Sequence, residues 1–193
     1  MRIKGEKVNT DYSKTKSFYE ARGTKYNEEH SCVATMFQDQ RPQMTDERNW
    51  EEIARILPFL QLDGTSRVLA LGCGIGRWAD SIICPIESYL GIDFSENLVQ
   101  IARSRNTKDI FLFDTDVYMQ LQRILQGQQS MSLQLTIIAG IFTCLNDEDV
   151  DSTLQFLSNV LFCEAVVYIR EPVGTQEWMT LKQFLFPGVG TRL

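Results

Sequence analysis

The chain has 193 residues, 44% of them hydrophobic and 23% charged, with a formal net charge of −6. That is the size and composition of one globular domain with room for a short extra lobe. Its acidity argues against a nucleic-acid partner, no apolar run reaches the roughly 18 residues of a membrane span, and the polar start MRIKGEKVNTDYSK lacks the apolar middle of a signal peptide, so a cytoplasmic protein is expected.

In chain order, residues 1–10 read as a loose polar terminus. Asp11 to Arg22 has a helical pattern carrying Tyr12, Phe18 and Tyr19, and residues 23–44 read as loop with short helical turns. Thr45 is the expected N-cap of a helix with Glu47, Glu51 and Glu52 early and an apolar stripe of Trp50, Ile53, Ile56 and Leu57; Pro58 kinks or ends it. After the Asp63-Gly64 turn the pattern changes to strand–helix alternation. Strands are expected at Ser66–Leu71, Tyr89–Asp93, Ile110–Phe113, Leu133–Ala139 and Ala165–Ile169. Helices are expected at Arg77–Ile83, from Ser95 to Arg105, from about Asp116 to Leu125, and from an Asn146 or Asp147 cap to Val160. Such alternation predicts an α/β fold, a Rossmann-like doubly wound, mostly parallel sheet with helices on both faces, which binds ligands at the carboxyl ends of its strands.

Five scattered cysteines without a C-x-x-C pair read as reduced, mostly buried thiols, and the lack of clustered Cys and His ligands predicts no metal. His30 is the single histidine, and no G-x-S-x-G elbow accompanies it.

The first strand runs into VLALGCGIGRWA, so Gly72, Gly74 and Gly76 alternate directly after it. Glycine permits the sharp turn and the close approach of a ligand, and the following helix start adds free N–H donors. Gly74-x-Gly76-x-x-Ala79 also fits a relaxed dinucleotide fingerprint, but counted from Gly72 the third glycine would fall on Arg77. Asp93 ends the second strand, where a carboxylate can accept two hydrogen bonds from vicinal ribose hydroxyls.

These motifs resemble the class I S-adenosylmethionine-dependent methyltransferases over about residues 60–172. VLALGCGIGRWA is similar to the family's glycine loop, YLGIDFSENLVQIAR to its ribose-binding segment, FLFDTDV to its adenine-contacting segment and LTIIAGIFTCLNDEDV to its fourth strand and following loop. The resemblance implies S-adenosylmethionine as cofactor, held by Leu71, Gly72, Gly74 and Gly76, by Asp93, Phe94 and Ser95, by Asp114, Thr115 or Asp116, and by Ala139, Gly140 and Ile141. NTDYSKTKSFYEARGTKYN is similar to the N-terminal segment of small-molecule methyltransferases of bacterial surface-polysaccharide biosynthesis. It implies a helical lid or cap over residues 1–60 on a cofactor-binding domain of residues 61–193, with Tyr12, Tyr19 and Arg22 over the methionine end; an amphipathic helix that simply packs its aromatics is the alternative.

Three departures stand out. Ala70 replaces the family's acid in the first strand, Leu135-Thr136 replaces another in the fourth, and FLFPGVGTRL matches poorly the last two strands of a seven-stranded sheet. The C-terminal strands are therefore expected to be missing, through truncation, fragmentation or completion by a partner. The resulting expectation is methyl transfer to a small molecule such as a sugar or polysaccharide precursor. The alternatives are a non-catalytic or truncated cofactor-binding protein and an NAD-dependent oxidoreductase. Glu171, Asp147 and His30 are the candidate bases, and an uncovered sheet edge points to a homodimer.

Overall fold

Residues 68–71 alternate their side chains between two apolar layers, and that alternation organises the molecule. The structure is a computed structural model that describes residues 9–36, 39–126 and 133–171. Its strands are β1 (Arg67–Leu71), β2 (Ser88–Ile92), β3 (Phe111–Asp114), β4 (Leu133–Ala139) and β5 (Leu161–Arg170). All pair parallel in the order β3-β2-β1-β4-β5. The helices are α1 (Tyr12–Thr24), α2 (Val33–Met36), α3 (Pro42–Ile56), α4 (Arg77–Ser81), α5 (Glu96–Arg105), α6 (Val117–Leu125) and α7 (Asp147–Val160).

Val68 and Ala70 face one layer with Ile53 of α3, Trp78 and Ala79 of α4, and Val99 and Ala102 of α5. Leu69 and Leu71 face the other, with Ile124 of α6 and Phe156 and Leu157 of α7. Helices thus cover both faces, as a parallel sheet of near-continuous apolar strands requires. Strand order reverses beside β1, between β2 and β4, and Leu71 pairs with both Ile92 and Ile138. The three strand ends therefore meet at the crevice where such sheets bind ligands.

The N-terminal segment is tied to this core. Both carboxylate oxygens of Glu20 accept backbone N–H groups at the start of α5, from Glu96 at 2.8 Å and Asn97 at 3.0 Å. An acid at a helix N-terminus satisfies free donors and complements the helix dipole.

Several expectations need correction. Thr45 does not cap α3: the helix starts a turn earlier, with Pro42 in its first turn, a position to which proline is suited, and Thr45 is buried inside it with its hydroxyl on the Pro42 carbonyl. Trp50 leaves the apolar stripe and is 72% exposed, because Ile53 and Ile56 supply the core face. α4 ends at Ser81, and Ile83 points outward. β5 begins at Leu161 directly after α7, since the start of β4 recruits Leu161 opposite Leu133 across a bulge. Cys32 is buried while Cys73, Cys84 and Cys144 are only partly so, and all four are free thiols; the side chain of Cys163 lies outside the described residues. The stretch FLFPGVGTRL and the question of further strands also lie outside them.

Candidate functional site

The glycine loop leaves β1 at Leu71 with Gly72, Gly74 and Gly76 all at positive φ (66°, 54° and 78°), a region side chains avoid. It is pinned to the neighbouring strand by the N–H groups of Gly72 and Cys73, which donate to the Ile92 carbonyl at 2.8 and 3.0 Å. A Cβ on Gly74 would lie 2.6 Å from the Thr35 methyl, so the loop also packs tightly under the N-terminal segment.

Asp93 follows β2. Its Oδ2 accepts the Gly74 N–H at 2.9 Å and its Oδ1 accepts the Ser95 N–H at 3.0 Å. Each oxygen keeps a second lone-pair site. Burial raises the Asp93 pKa to about 6, against the opposing pull of those N–H bonds.

Both features open into one cavity of about 660 Å³ at the strand ends. Of the residues expected there, Tyr12 and Tyr19 line it from α1; so do Leu71, Gly72 and Gly74, Asp93 and Phe94, and Ala139, Gly140 and Ile141. Tyr19 packs edge-on against Phe94, with ring centres 5.8 Å apart. Tyr12 spans from α1 to the start of α7: its hydroxyl donates to Asp149 and accepts the Asn146 N–H at 3.0 Å.

The remaining expected residues stand elsewhere. Arg22 turns from the cavity to the carbonyls of Val33 and Ala34 and to Asp39, holding the segment after α1. Gly76 and Ser95 start α4 and α5, the latter through its hydroxyl on the Leu98 N–H. Asp114, Thr115 and Asp116 do not line the cavity: Asp114 holds the Asp116 N–H and Gln120, and Asp116 caps α6 through the Met119 N–H. The α6 side chains that do reach it are Val117 and Leu121.

None of the three candidate bases lines the cavity. His30 pairs with Asp46 at 2.8 Å. Asp147 is the first residue of α7, after Asn146 in the cap position. Glu171 is built into the backbone: its Oε1 accepts the N–H groups of Gly140, Ile141 and Phe142 at 3.1, 2.9 and 3.0 Å. Burial raises its pKa, while those three N–H groups work the other way.

Sequence reasoning missed the wall built by α3. Thr45, Arg48, Glu52 and Arg55 fall along one stripe of α3, beside Ile53 and Ile56, and line the cavity together with Glu51, Tyr168 and Arg170. Glu52 is buried between Arg77 (3.1 Å), Arg170 (3.2 Å) and the Tyr168 hydroxyl (2.8 Å). The available signal was the spacing i, i+3, i+7 and i+10 on the helix's polar face. Ala70, at the position of the absent strand acid, lines a cavity of about 30 Å³ that Arg77 and Arg170 also border.

Among the described residues no group of three or more His, Cys, Asp and Glu side chains is placed to hold a metal, and no helix is long and apolar enough to cross a membrane.

Residues 68–162 match the family described as a methyltransferase domain. No curated protein matches the chain. Among solved structures, phosphoethanolamine N-methyltransferase 1 of Haemonchus contortus, in complex with phosphoethanolamine and S-adenosylhomocysteine, superposes with a TM-score of 0.65 at 18% identity, over 87% of this chain and 35% of its own. DhpI, in its complex with SAM and HEP, superposes with a TM-score of 0.55 at 16% identity, over 84% of this chain and 66% of its own. At these identities the likeness is one of fold, and the chain spans about a third of the first protein's length.

Proposed function

We propose that this chain is a class I S-adenosylmethionine-dependent methyltransferase that transfers a methyl group from S-adenosylmethionine to a small molecule, a reading supported by the match of residues 68–162 to a methyltransferase domain. The observation that carries the proposal is the shared cavity: Asp93, the loop glycines Gly72 and Gly74, and the Gly140 turn all face one space at the strand ends. The residues fit the cofactor. Gly72 and Gly74 bring bare loop backbone to the cavity, and the Asp93 carboxylate keeps free lone pairs beside that loop for the ribose hydroxyls.

In this reading Gly72 and Gly74 let the backbone approach the cofactor's methionine part, Asp93 holds the ribose, and Val117, Leu121 and Phe94 flank the base. Tyr12 and Tyr19 cover the site from α1. When bound, the cofactor supplies an activated methyl on a sulfonium, which the acceptor's lone pair takes while the sulfur leaves as a neutral thioether. The protein's contribution is alignment, which in model systems accounts for roughly 7–11 kcal/mol of barrier. No side chain is assigned here as a base.

We read residues 1–60 as a cap and 61–193 as the cofactor-binding domain; the support is that α1 and α3 supply one side of the cavity and the sheet the other. A cytoplasmic protein and a homodimer belong to the same reading. The dimer is supported by the ten-residue β5, which has a partner on one side only among the described residues.

The non-catalytic alternative has one observation in its favour, Ala70 in place of the strand acid. Transfer of tritium from methyl-labelled S-adenosylmethionine into a small-molecule extract decides between them: labelled product supports the enzyme, and bound cofactor without turnover supports the binding protein.

A further inference from the structure

We infer that the methyl acceptor carries an oxyanion, a phosphate or carboxylate group, held by Arg48 and Arg55 on the α3 wall of the cavity with Arg170 beside them. The inference rests on the methyltransferase reading and names the acceptor class for that same cavity.

Helix α3 uses Ile53 and Ile56 to pack on the sheet, which turns Arg48 and Arg55 toward the cavity two helical turns apart, about 10 Å along the axis. Neither guanidinium makes an ion pair or hydrogen bond with a carboxylate among the described residues. The buried acid between them, Glu52, is already matched by Arg77 and Arg170. The α3 and β5 side of the cavity therefore carries Arg48, Arg55 and Arg170 against Glu51 and Glu52, while the other lining acids, Asp93 and Asp149, stand after β2 and on α7. Guanidinium groups present a planar fork of donors that matches carboxylate and phosphate oxygens. The cofactor's ribose end is assigned to Asp93, on the carboxyl end of β2, whereas the arginines stand on α3 and β5. The positive wall thus faces the part of the cavity left for the acceptor.

The test is calorimetric titration of the full chain, saturated with S-adenosylhomocysteine, with inorganic phosphate and separately with malonate. The wild type is compared with the Arg48→Ala/Arg55→Ala double variant and with Lys108→Ala, a cation outside the cavity. The expected result is saturable binding of one anion, weakened at least tenfold in the double variant and unchanged in Lys108→Ala. S-adenosylhomocysteine affinity should stay within threefold throughout. Phosphate alone identifies a phosphate ester, and malonate alone a carboxylate. Two results overturn the inference: neither anion binds the wild type, or the double variant binds the anion as tightly as the wild type does; loss of S-adenosylhomocysteine in that same variant would make the arginines cofactor ligands. If S-adenosylhomocysteine itself fails to bind, the methyltransferase reading falls. The same anion titrations on the unloaded protein then decide the arginine wall separately.

Discussion

Glu52 and Arg77 meet as a two-pronged ion pair, Nη1 to Oε2 at 3.1 Å and Nη2 to Oε1 at 3.2 Å, with side chains only 8% and 7% exposed. One belongs to α3 and the other to α4, the helix that follows the glycine loop, so this pair fastens α3 to the loop. Removing one partner of a buried pair leaves an uncompensated charge and costs about 3–5 kcal/mol. Glu52→Gln should therefore lower the unfolding free energy by about 3–5 kcal/mol, read as a fall in the urea midpoint at unchanged m-value. The double change Glu52→Leu/Arg77→Met should recover much of the loss. A Glu52→Gln variant within about 1 kcal/mol of wild type, well under the expected cost, would contradict this role.

Asp93 gives a pH dependence whose sign follows from its burial. Its pKa in the fold, about 6, lies above the ordinary 3.8. The folded state therefore binds the proton more tightly than the unfolded chain. The stability Asp93 contributes is full below pH 3.8 and is lost as pH rises through about 6. Ligand affinity should run the other way, because only the carboxylate accepts at both oxygens. Affinity for S-adenosylhomocysteine should fall as pH drops below about 6, approaching tenfold per pH unit. Calorimetry at stepped pH measures this, and in Asp93→Asn the dependence should flatten.

Glu171 clamps the backbone of residues 140–142, and we propose that this, rather than base catalysis, is its role. Glu171→Gln keeps an acceptor for the three N–H groups of residues 140–142 and should retain methyl transfer within a few-fold. Glu171→Ala strands the Ile141 and Phe142 N–H groups, the Gly140 N–H keeping the Arg170 carbonyl, and should cost about 1–3 kcal/mol of stability. A loss of a hundredfold or more in kcat for Glu171→Gln, the size expected when a general base is removed, would contradict the clamp.

Gly76 lies outside the cavity, so its effect should be on stability alone. At φ 78° a Cβ would meet the Asn106 amide at 2.9 Å and Ala102 at 3.2 Å. Gly76→Ala should lower stability by about 1–3 kcal/mol, the cost of holding a side chain in that conformation. Gly64→Ala, where a Cβ meets nothing within 4 Å, is the neutral control in the same thermal melts.

The parts of this protein legible in its sequence are those that depend on neighbours in the chain. The apolar runs of β1, β2 and β4, the three glycines after Leu71 and the acid ending at Asp93 all announce themselves locally. What the sequence hid depends on distant neighbours. Arg48, Glu52 and Arg55 look like the solvated face of an amphipathic helix until Ile53 docks that helix at the strand ends. Glu171 looks like a free acid at a strand end until β4 and β5 pair and bring it to the Gly140 turn. In the segment after β3 the acids were the conspicuous residues. They are spent on their own turn and helix start, leaving Val117 and Leu121 to face the cavity.

The central claim, that Asp93 and the glycine loop form a cofactor site, is tested most directly by titrating the protein with S-adenosylhomocysteine while following its thermal midpoint. A ligand that binds only the folded state stabilises it by about 2.7 kcal/mol at a hundredfold excess over its Kd. The account predicts a clear upward shift with S-adenosylhomocysteine, none with NAD, and loss of the shift in Asp93→Ala. No shift with S-adenosylhomocysteine, or an equal shift in Asp93→Ala, would contradict it.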